Sequence, residues 1–440
     1  MNPILRYMRR NVPKSEPINE VSAKIDLWSS LYENRAPWLS KEVTGLNLAS
    51  AIASEFARLT TLEMKTEVSG GERGEFLNGI YQNVTAHARN FTELACAKGS
   101  VILKPYVRGT GIYVDYIQPN DFLPLDFDGN GNITAAVFCE RIYKEDKVFT
   151  RLEEHRLDKN YIITNKAYKS NSLSDIGREI PLNSVSEWAS LQERAEISGI
   201  DKPLFAHFKM PSANVTNPDS PMGTSVYARA VDLIKDADIQ YARFLWEFES
   251  GKRALFVDES ALTRDKLGRK IIPDERLYRM LSTDDDTLFK DWTPAIRQEE
   301  INKGLNRILR GIEFNTGLAY GTLSDVQYSD KTAEEIRSSK QRSYATVSDI
   351  QMALKTALQD LVYAMNVWCS IYRLAPEGEY DICFDFDDSI IADRALEFNE
   401  KKQLVEIGIM KPWEFRMWYF GEEEETARKN SGYSEEEKND

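Results

Sequence analysis

Spacing of apolar residues divides the chain into three textures. Between Thr44 and Leu59, the residues Leu48, Ile52, Phe56 and Leu59 recur by threes and fours, which predicts an amphipathic helix. The same reading gives a short helix over Glu20 to Glu33 and a longer one from Glu72 to about Ala97. From Ser100 to Tyr168 the pattern changes to short runs of branched and aromatic residues: VILKPYV, GIYVDYI, ITAAVFCERIY, KVFTRLEEHRL and NYIITNKAY. Joined by turns such as Arg108-Gly109-Thr110-Gly111, they read as successive antiparallel strands. Residues 209–223, KMPSANVTNPDSPMG, are rich in Pro, Ser and Asn and mark a boundary.

Beyond that loop the pattern is helical. Val226, Ala230, Leu233, Ala237, Tyr241, Phe244 and Phe248 form one stripe over Thr224 to Ser250, with Gly251 as the stop; such a rod is about 40 Å long. A second helix is expected from Pro294, behind Thr293 as its cap, to about Asn315. It carries Ile301, Leu305, Ile308 and Ile312 on one face and stops at Gly317. The residues between these helices predict short strands and a small helix near Glu275 to Met280, a compact insertion at the tip of a helical hairpin. After a glycine-containing loop, Thr332 and Glu335 form a capping box, and neither Gly nor Pro interrupts the chain until Pro376. Val347, Ile350, Leu354, Leu358, Leu361, Met365, Trp368 and Tyr372 keep the stripe over about 60 Å, a length that implies a kink or a spoke-like role in an assembly. A strand, YDICFDFDDSII, and a helical end from Ala392 through Gly421 to an acidic tail complete an α+β chain.

Composition narrows the function. Hydrophobic residues make up 42% and charged residues 29% of the 440 residues, a globular rather than disordered balance. The formal net charge of -14 argues against a generally basic DNA-binding surface. Cys96, Cys139, Cys369 and Cys383 are scattered without a C-x-x-C pair, which suggests neither a zinc site nor a disulfide framework and fits a reducing compartment. No stretch has the length and apolarity of a signal peptide or a membrane span, so the expectation is a soluble, unexported chain.

Chemistry is sparse. His87, His155 and His207 have no nucleophile or metal partner at useful spacing and read as structural or surface residues. Gly251-Lys252 lacks the Ser or Thr of a phosphate loop, since Arg253 follows. DFDGNGNI at 126–133 places Asp126, Asp128 and Asn130 like the front of a calcium loop, but Val137 stands where the closing glutamate belongs and strand-forming residues flank it. A β-hairpin turn is the simpler reading. Two acidic groups, Asp284-Asp285-Asp286 and Asp385, Asp387 and Asp388, leave open a metal-dependent nuclease. Solvated charge, with Asp385 and Asp387 facing water and Phe384 and Phe386 the core, is the other reading.

Three strings carry a resemblance: GTSVYARAVDLIKDADIQYARFLWEFESGKRALFV; GLNRILRGIEFNTGLAYGTLSDVQYSDKTAEEIRSSKQRSYATV after the insertion; and LVEIGIMKPWEFRMWYFGEEEETA. Over about residues 205–425 the chain resembles the portal proteins of tailed bacteriophages, particularly those of phages of Gram-positive hosts. The resemblance implies a portal fold with an α/β wing (1–223), a two-helix stem (224–250 and 294–316) and a small α/β clip (251–293). It further implies a tunnel loop (317–331), a long wing helix (332–375), a wing strand (376–391) and a helical crown with an acidic tail (392–440). It implies no enzyme activity, cofactor or metal, but a ring, usually of twelve subunits, at one capsid vertex, through which double-stranded DNA is packaged and ejected. The implied partners are the terminase large subunit, the head-tail connector or adaptor, and the major capsid and scaffolding proteins. The implied setting is the virion, with assembly in the host cytoplasm and no membrane.

Charge fits such a conduit: twelve copies at -14 each carry about -168, and a lumen of that sign lets phosphates slide rather than stick. Lys303, Arg307 and Arg310 recur along one helix face and, with Lys331, are candidates to touch DNA. A salt bridge to a neighbour's Asp232, Asp236 or Asp238 is the equal alternative, because spacing alone does not say which face points inward. In the loop GLAYGTLSDVQYSD, Thr322, Ser324, Asp325, Gln327 and Tyr328 are the DNA-facing candidates. Besides the nuclease, another minor capsid or adaptor protein remains an alternative.

Overall fold

The structure, a computed structural model, describes residues 16–144, 146–252, 254–258, 267, 278–281, 289–325, 333–386 and 394–431. Contacts group the chain into two units, residues 1–61 with 67–382, and residues 62–66 with 383–440. In the first unit, α1 (Glu16–Tyr32) is followed by α2 (Leu48–Thr61), which turns Ile52 and Phe56 fully inward. α2 begins after Thr44 because Asn47, at φ +58, leaves the helical region just ahead of it. β1 (Met64–Ser69) leads to a second departure from expectation: the helix from Glu72 to Ala97 is two, α3 (Gly71–Thr85) and α4 (Ala88–Lys98). His87, at φ -100 and ψ 8, breaks the ladder, and α4 is re-aimed so that Phe91, Ala95 and Cys96 are buried. Gly99, which caps α4 at φ +92, admits no side chain: a Cβ there would lie 2.5 Å from the Gly223 carbonyl oxygen.

The five expected strands are all present. β2 (Ser100–Arg108) and β3 (Gly111–Ile117) form a hairpin over Gly109, at φ +63. β4 (Phe122–Phe127), β5 (Ile133–Lys144), β6 (Lys147–Leu157), β7 (Tyr161–Ser170) and β8 (Arg178–Ile180) follow in order in an antiparallel sheet, with β9 (Arg194–Ile197) also on β7. β10 (Ala206–Lys209) returns to pair with β2 in a separate three-stranded sheet. DFDGNGNI is the β4–β5 turn. Asp128 accepts from the Asn130 and Asn132 amides (2.9 and 2.8 Å) and from Asn132 Nδ2 (2.9 Å), and Gly131 supplies φ +80. The carboxylate organises the turn, and its hydrogen bond from the Asn132 side chain, followed by those from the backbone, holds its pKa below the usual range.

A polar chain threads the sheet interior. The Tyr161 hydroxyl accepts from the Leu204 amide (3.0 Å) and donates to His155 Nδ1 (2.7 Å), while His155 Nε2 donates to Glu153 (2.8 Å), which also receives Lys104 and Arg151. Burial keeps His155 neutral against the pull of Glu153. Burial would raise the Glu153 pKa, but Lys104, His155 and Arg151 together hold it well below the usual range.

Past residue 223, a short 3-10 turn (Ala228–Ala230) precedes α5 (Val231–Ser250), so the helix is shorter than expected. β11 (Ala254–Asp258), β12 (Tyr278–Leu281) and β13 (Phe289–Trp292) form a small sheet. The helix expected near Glu275 to Met280 is corrected: Tyr278, Arg279 and Met280 pair in parallel with β11, a non-local partner that local propensity does not reveal. α6 (Gln298–Thr316) starts later than Pro294, because Glu247 at the end of α5 takes the Arg297 amide and guanidinium (3.2, 3.1 and 2.9 Å) and fixes where the helix begins. The expected cap at Thr332 lies outside the described residues.

α7 (Ala333–Tyr372) runs 40 residues without a break, about 60 Å. Val347, Ile350, Leu354, Leu358, Leu361 and Met365 are buried, and the helix packs on α2, β2 and β10. Each such side chain contributes about 2 kcal/mol. Tyr372, at the end of the stripe, is exposed. Arg73 of α3 is 3% exposed and clasps this end of α7. It donates to Asn366 Oδ1 (2.7 Å), Asn366 O (2.9 Å), Ala375 O (3.1 Å), Cys369 Sγ (2.8 Å) and Ser370 Oγ.

β14 (Asp381–Phe386) pairs with β1, and Thr66 Oγ1 donates to Cys383 O (2.8 Å). In the second unit α8 (Arg394–Glu406), α9 (Pro412–Phe420) and α10 (Glu424–Asn430) follow. Pro412 opens α9, and Phe398, Phe415 and Tyr419 pack with ring centroids 5.2 to 5.9 Å apart. No helix among the described residues is long and apolar enough to cross a membrane.

Candidate functional site

Helices α5 and α6 form an antiparallel hairpin whose register three contacts fix. A Cβ placed on Gly311 would sit 3.3 Å from Leu233 Cδ1, one on Gly304 would sit 3.6 Å from Gln240 Nε2, and Arg297 meets Glu247 at 2.9 Å. Two glycines on α6 thus let the rods approach closely despite their helix cost of about 1 kcal/mol each. Toward its far end, α5 exposes Leu245, Trp246 and Phe248 (40, 62 and 39%). A lone hairpin does not cover these large side chains.

The loop after α6 is built around one carboxylate. Glu313 is fully buried, and its Oε1 accepts from the Gly321, Leu323 and Ser324 amides (3.0, 2.7 and 2.9 Å) while Oε2 accepts from Ser324 Oγ (2.8 Å). Asn306, one helical stretch earlier, clamps the next residue through its Oδ1 to the Asp325 amide (2.7 Å) and its Nδ2 to Asp325 O (3.2 Å). Residues 318–325 are therefore tied down by α6 itself. Spacing gave no hint of either anchor, although a Glu in the last turn of a helix opposes the helix dipole and so asks for a local reason.

The expected channel residues separate accordingly. Lys303 and Arg307 are exposed, Lys303 lying 3.9 Å from Glu299. Arg310, on the same stripe, is partly buried, and its Nε and Nη2 are buried with no hydrogen-bond partner. Thr322 is exposed, though its hydroxyl donates to Ala319 O (2.7 Å), and Asp325 is exposed. Ser324 is corrected: it is 5% exposed and spent on Glu313, because its hydroxyl completes the carboxylate's shell. Gln327, Tyr328 and Lys331 lie outside the described residues. So do Asp284, Asp285, Asp286, Asp387 and Asp388, while Asp385 is exposed on β14. Among the described residues no group of three His, Cys, Asp or Glu side chains is placed to hold a metal ion. Of the neighbours proposed for the basic stripe, Asp232 and Asp236 are exposed. Asp238 is 4% exposed and occupied within its own chain by Trp38 Nε1 (2.9 Å) and the Leu46 amide (2.8 Å).

Beside the loop a cavity of about 270 Å³ is lined in part by Arg229, Arg342 and Asp349. Arg342 stacks over Phe314 (4.7 Å) and Tyr320 (5.5 Å). The loop, α6 and the start of α7 are thereby joined.

Residues 61–437 match the family described as phage portal protein, SPP1 Gp6-like. A search of curated proteins gives no match. Among solved structures, one titled "Neck of native GTA particle computed with C12 symmetry" aligns with a TM-score of 0.39 at 9% identity, over 84% of this chain and 89% of that one. That likeness is too loose to bear on function.

Proposed function

Because the chain belongs to the SPP1 Gp6-like phage portal protein family, we propose that it forms a ring, of twelve copies, at one vertex of the capsid of a phage with a Gram-positive host. Double-stranded DNA is packaged and later ejected through that ring. α5 and α6 serve as the stem, the small β11–β13 sheet as the clip that meets the terminase and then the head-tail connector, and residues 317–331 as the tunnel loop. Major capsid and scaffolding proteins surround the wing during assembly in the host cytoplasm. The chain supplies no catalysis, and the packaging motor supplies the energy.

The single observation that carries this reading is the family match over most of the chain. The hairpin supports it physically: its exposed Leu245, Trp246 and Phe248 need neighbours, and identical hairpins in a closed ring supply them through heterologous contacts. Exposed Lys303 and Arg307, with Thr322, Asp325, Gln327, Tyr328 and Lys331 from the loop, are the groups proposed to meet the DNA. A net charge of -14 per chain, with few cations in that set, keeps the contact weak enough for sliding. The test is deletion of this gene from its phage, with heads then isolated and their DNA measured. Empty heads, refilled when the gene is restored, are expected; normally filled heads without it overturn the reading.

A further inference from the structure

Arg310 is out of place on a surface stripe. Its neighbours Lys303 and Arg307 stand in solvent, where a cation is hydrated, yet Arg310 Nε and Nη2 are buried without an acceptor. A buried guanidinium nitrogen left unpaired is costly, so a contact that brings an acceptor to this side chain is favoured. A carboxylate presents two oxygens in the planar geometry that a guanidinium prefers.

The hairpin register says where that side chain stands. With Leu233 level with Gly311, and Gln240 level with Gly304, Arg310 lies beside the stretch of α5 that carries Asp232 and Asp236. Both are exposed, and both are within about 3 Å of the Arg310 level along the rod. Rotation about a ring axis leaves height unchanged, so the α5 of one copy meets the α6 of the next at matching levels. We propose that Arg310 receives a carboxylate from Asp232 or Asp236 of a second copy of this chain, so that this arginine belongs to the subunit contact and not to the DNA path. The inference rests on the ring reading above.

The experiment compares wild type, Arg310→Glu, Asp232→Arg, Asp236→Arg and the two double reversals by sedimentation velocity over a concentration series. Thermal melting serves as the folding control. Arg310→Glu is expected to raise the concentration for half-assembly at least tenfold, and one double reversal is expected to bring it back toward wild type. Asp232→Arg and Asp236→Arg change exposed side chains, so their effects stand even where Arg310→Glu fails to fold: at least one must weaken assembly. Wild-type assembly by all three single variants overturns the inference and leaves the ring standing, as does loss without rescue by either double reversal. A wild-type chain that stays monomeric overturns both. If Arg310→Glu rings form normally and only DNA retention changes, Arg310 faces the DNA and the inference fails.

Discussion

Replacing Glu313 probes whether the loop after α6 is held by that one carboxylate. Alanine removes four acceptor contacts. Gly321 is exposed and its amide finds water, but the Leu323 amide is half-buried and Ser324 is buried. At about 1–2 kcal/mol each, the lower part of the range for a group left unsatisfied, the Leu323 amide and the Ser324 amide and hydroxyl together loosen the loop by about 3–6 kcal/mol. Glutamine keeps an oxygen for the three amides, and the Ser324 hydroxyl can rotate to accept from its NH2. The loss is then that of the charge, about 1–2 kcal/mol, since charge-assisted bonds are roughly twice as strong as neutral ones. Amide hydrogen exchange read by mass spectrometry separates the two variants. Protection at 321–325 should fall by about two to four decades in Glu313→Ala and about tenfold in Glu313→Gln, at 1.4 kcal/mol per decade. Amides of α6 before Asn306 should hold. Unchanged exchange in the alanine variant refutes the anchoring argument.

Arg73→Met should lower stability by about 2–4 kcal/mol, since it strips the end of α7 of several buried hydrogen bonds from a cation; a thermal melt checks it, and a shift under a degree contradicts it. Leu358→Ala, at a fully buried position on α7, should cost about 2–5 kcal/mol by the same assay. Acid should destabilise the fold through two histidines: burial, with Lys209 adding to it, pushes His207 down to about 3, and burial also lowers His155. Both stay neutral when folded but take a proton when unfolded below about 6.5, so their contribution is full above that pH and drains away as pH falls toward 3. Asp115 and Asp121, raised by burial, oppose this trend, so the readout is the difference between wild type and His207→Phe. The variant should lose less stability from pH 6.5 to 4.5, by about 1 kcal/mol per pH unit after allowance for the partial exposure of His207. Parallel curves contradict the assignment.

Elements whose partners lie nearby in sequence were legible. The strands from Ser100 to Tyr168 turn where Gly109 and Gly131 permit, and the apolar spacing of α7 picked out Val347, Ile350, Leu354, Leu358, Leu361 and Met365, which are buried, along with Tyr372, which is exposed. What spacing could not show was non-local. β10 returns to β2 across most of the sheet region, Tyr278 to Met280 become a strand because β11 lies beside them, and α6 starts where Glu247 holds Arg297. At the site, the stripe of Lys303, Arg307 and Arg310 was visible, but the different burial of Arg310 was not. The loop composition gave no sign that residues 318–325 are bound to Glu313 and Asn306. A buried acceptor set of this kind leaves no periodic trace, because one carboxylate gathers donors from a segment that has no repeat. Ser324 was assigned to the lumen for that reason.

Imaging of purified wild-type protein by electron microscopy, with the particle mass taken from the same sample, tests the central claim most directly. The account predicts closed rings with an open central channel, built of twelve chains. Monomers, or compact particles with no channel, under conditions where the chain is folded would contradict it.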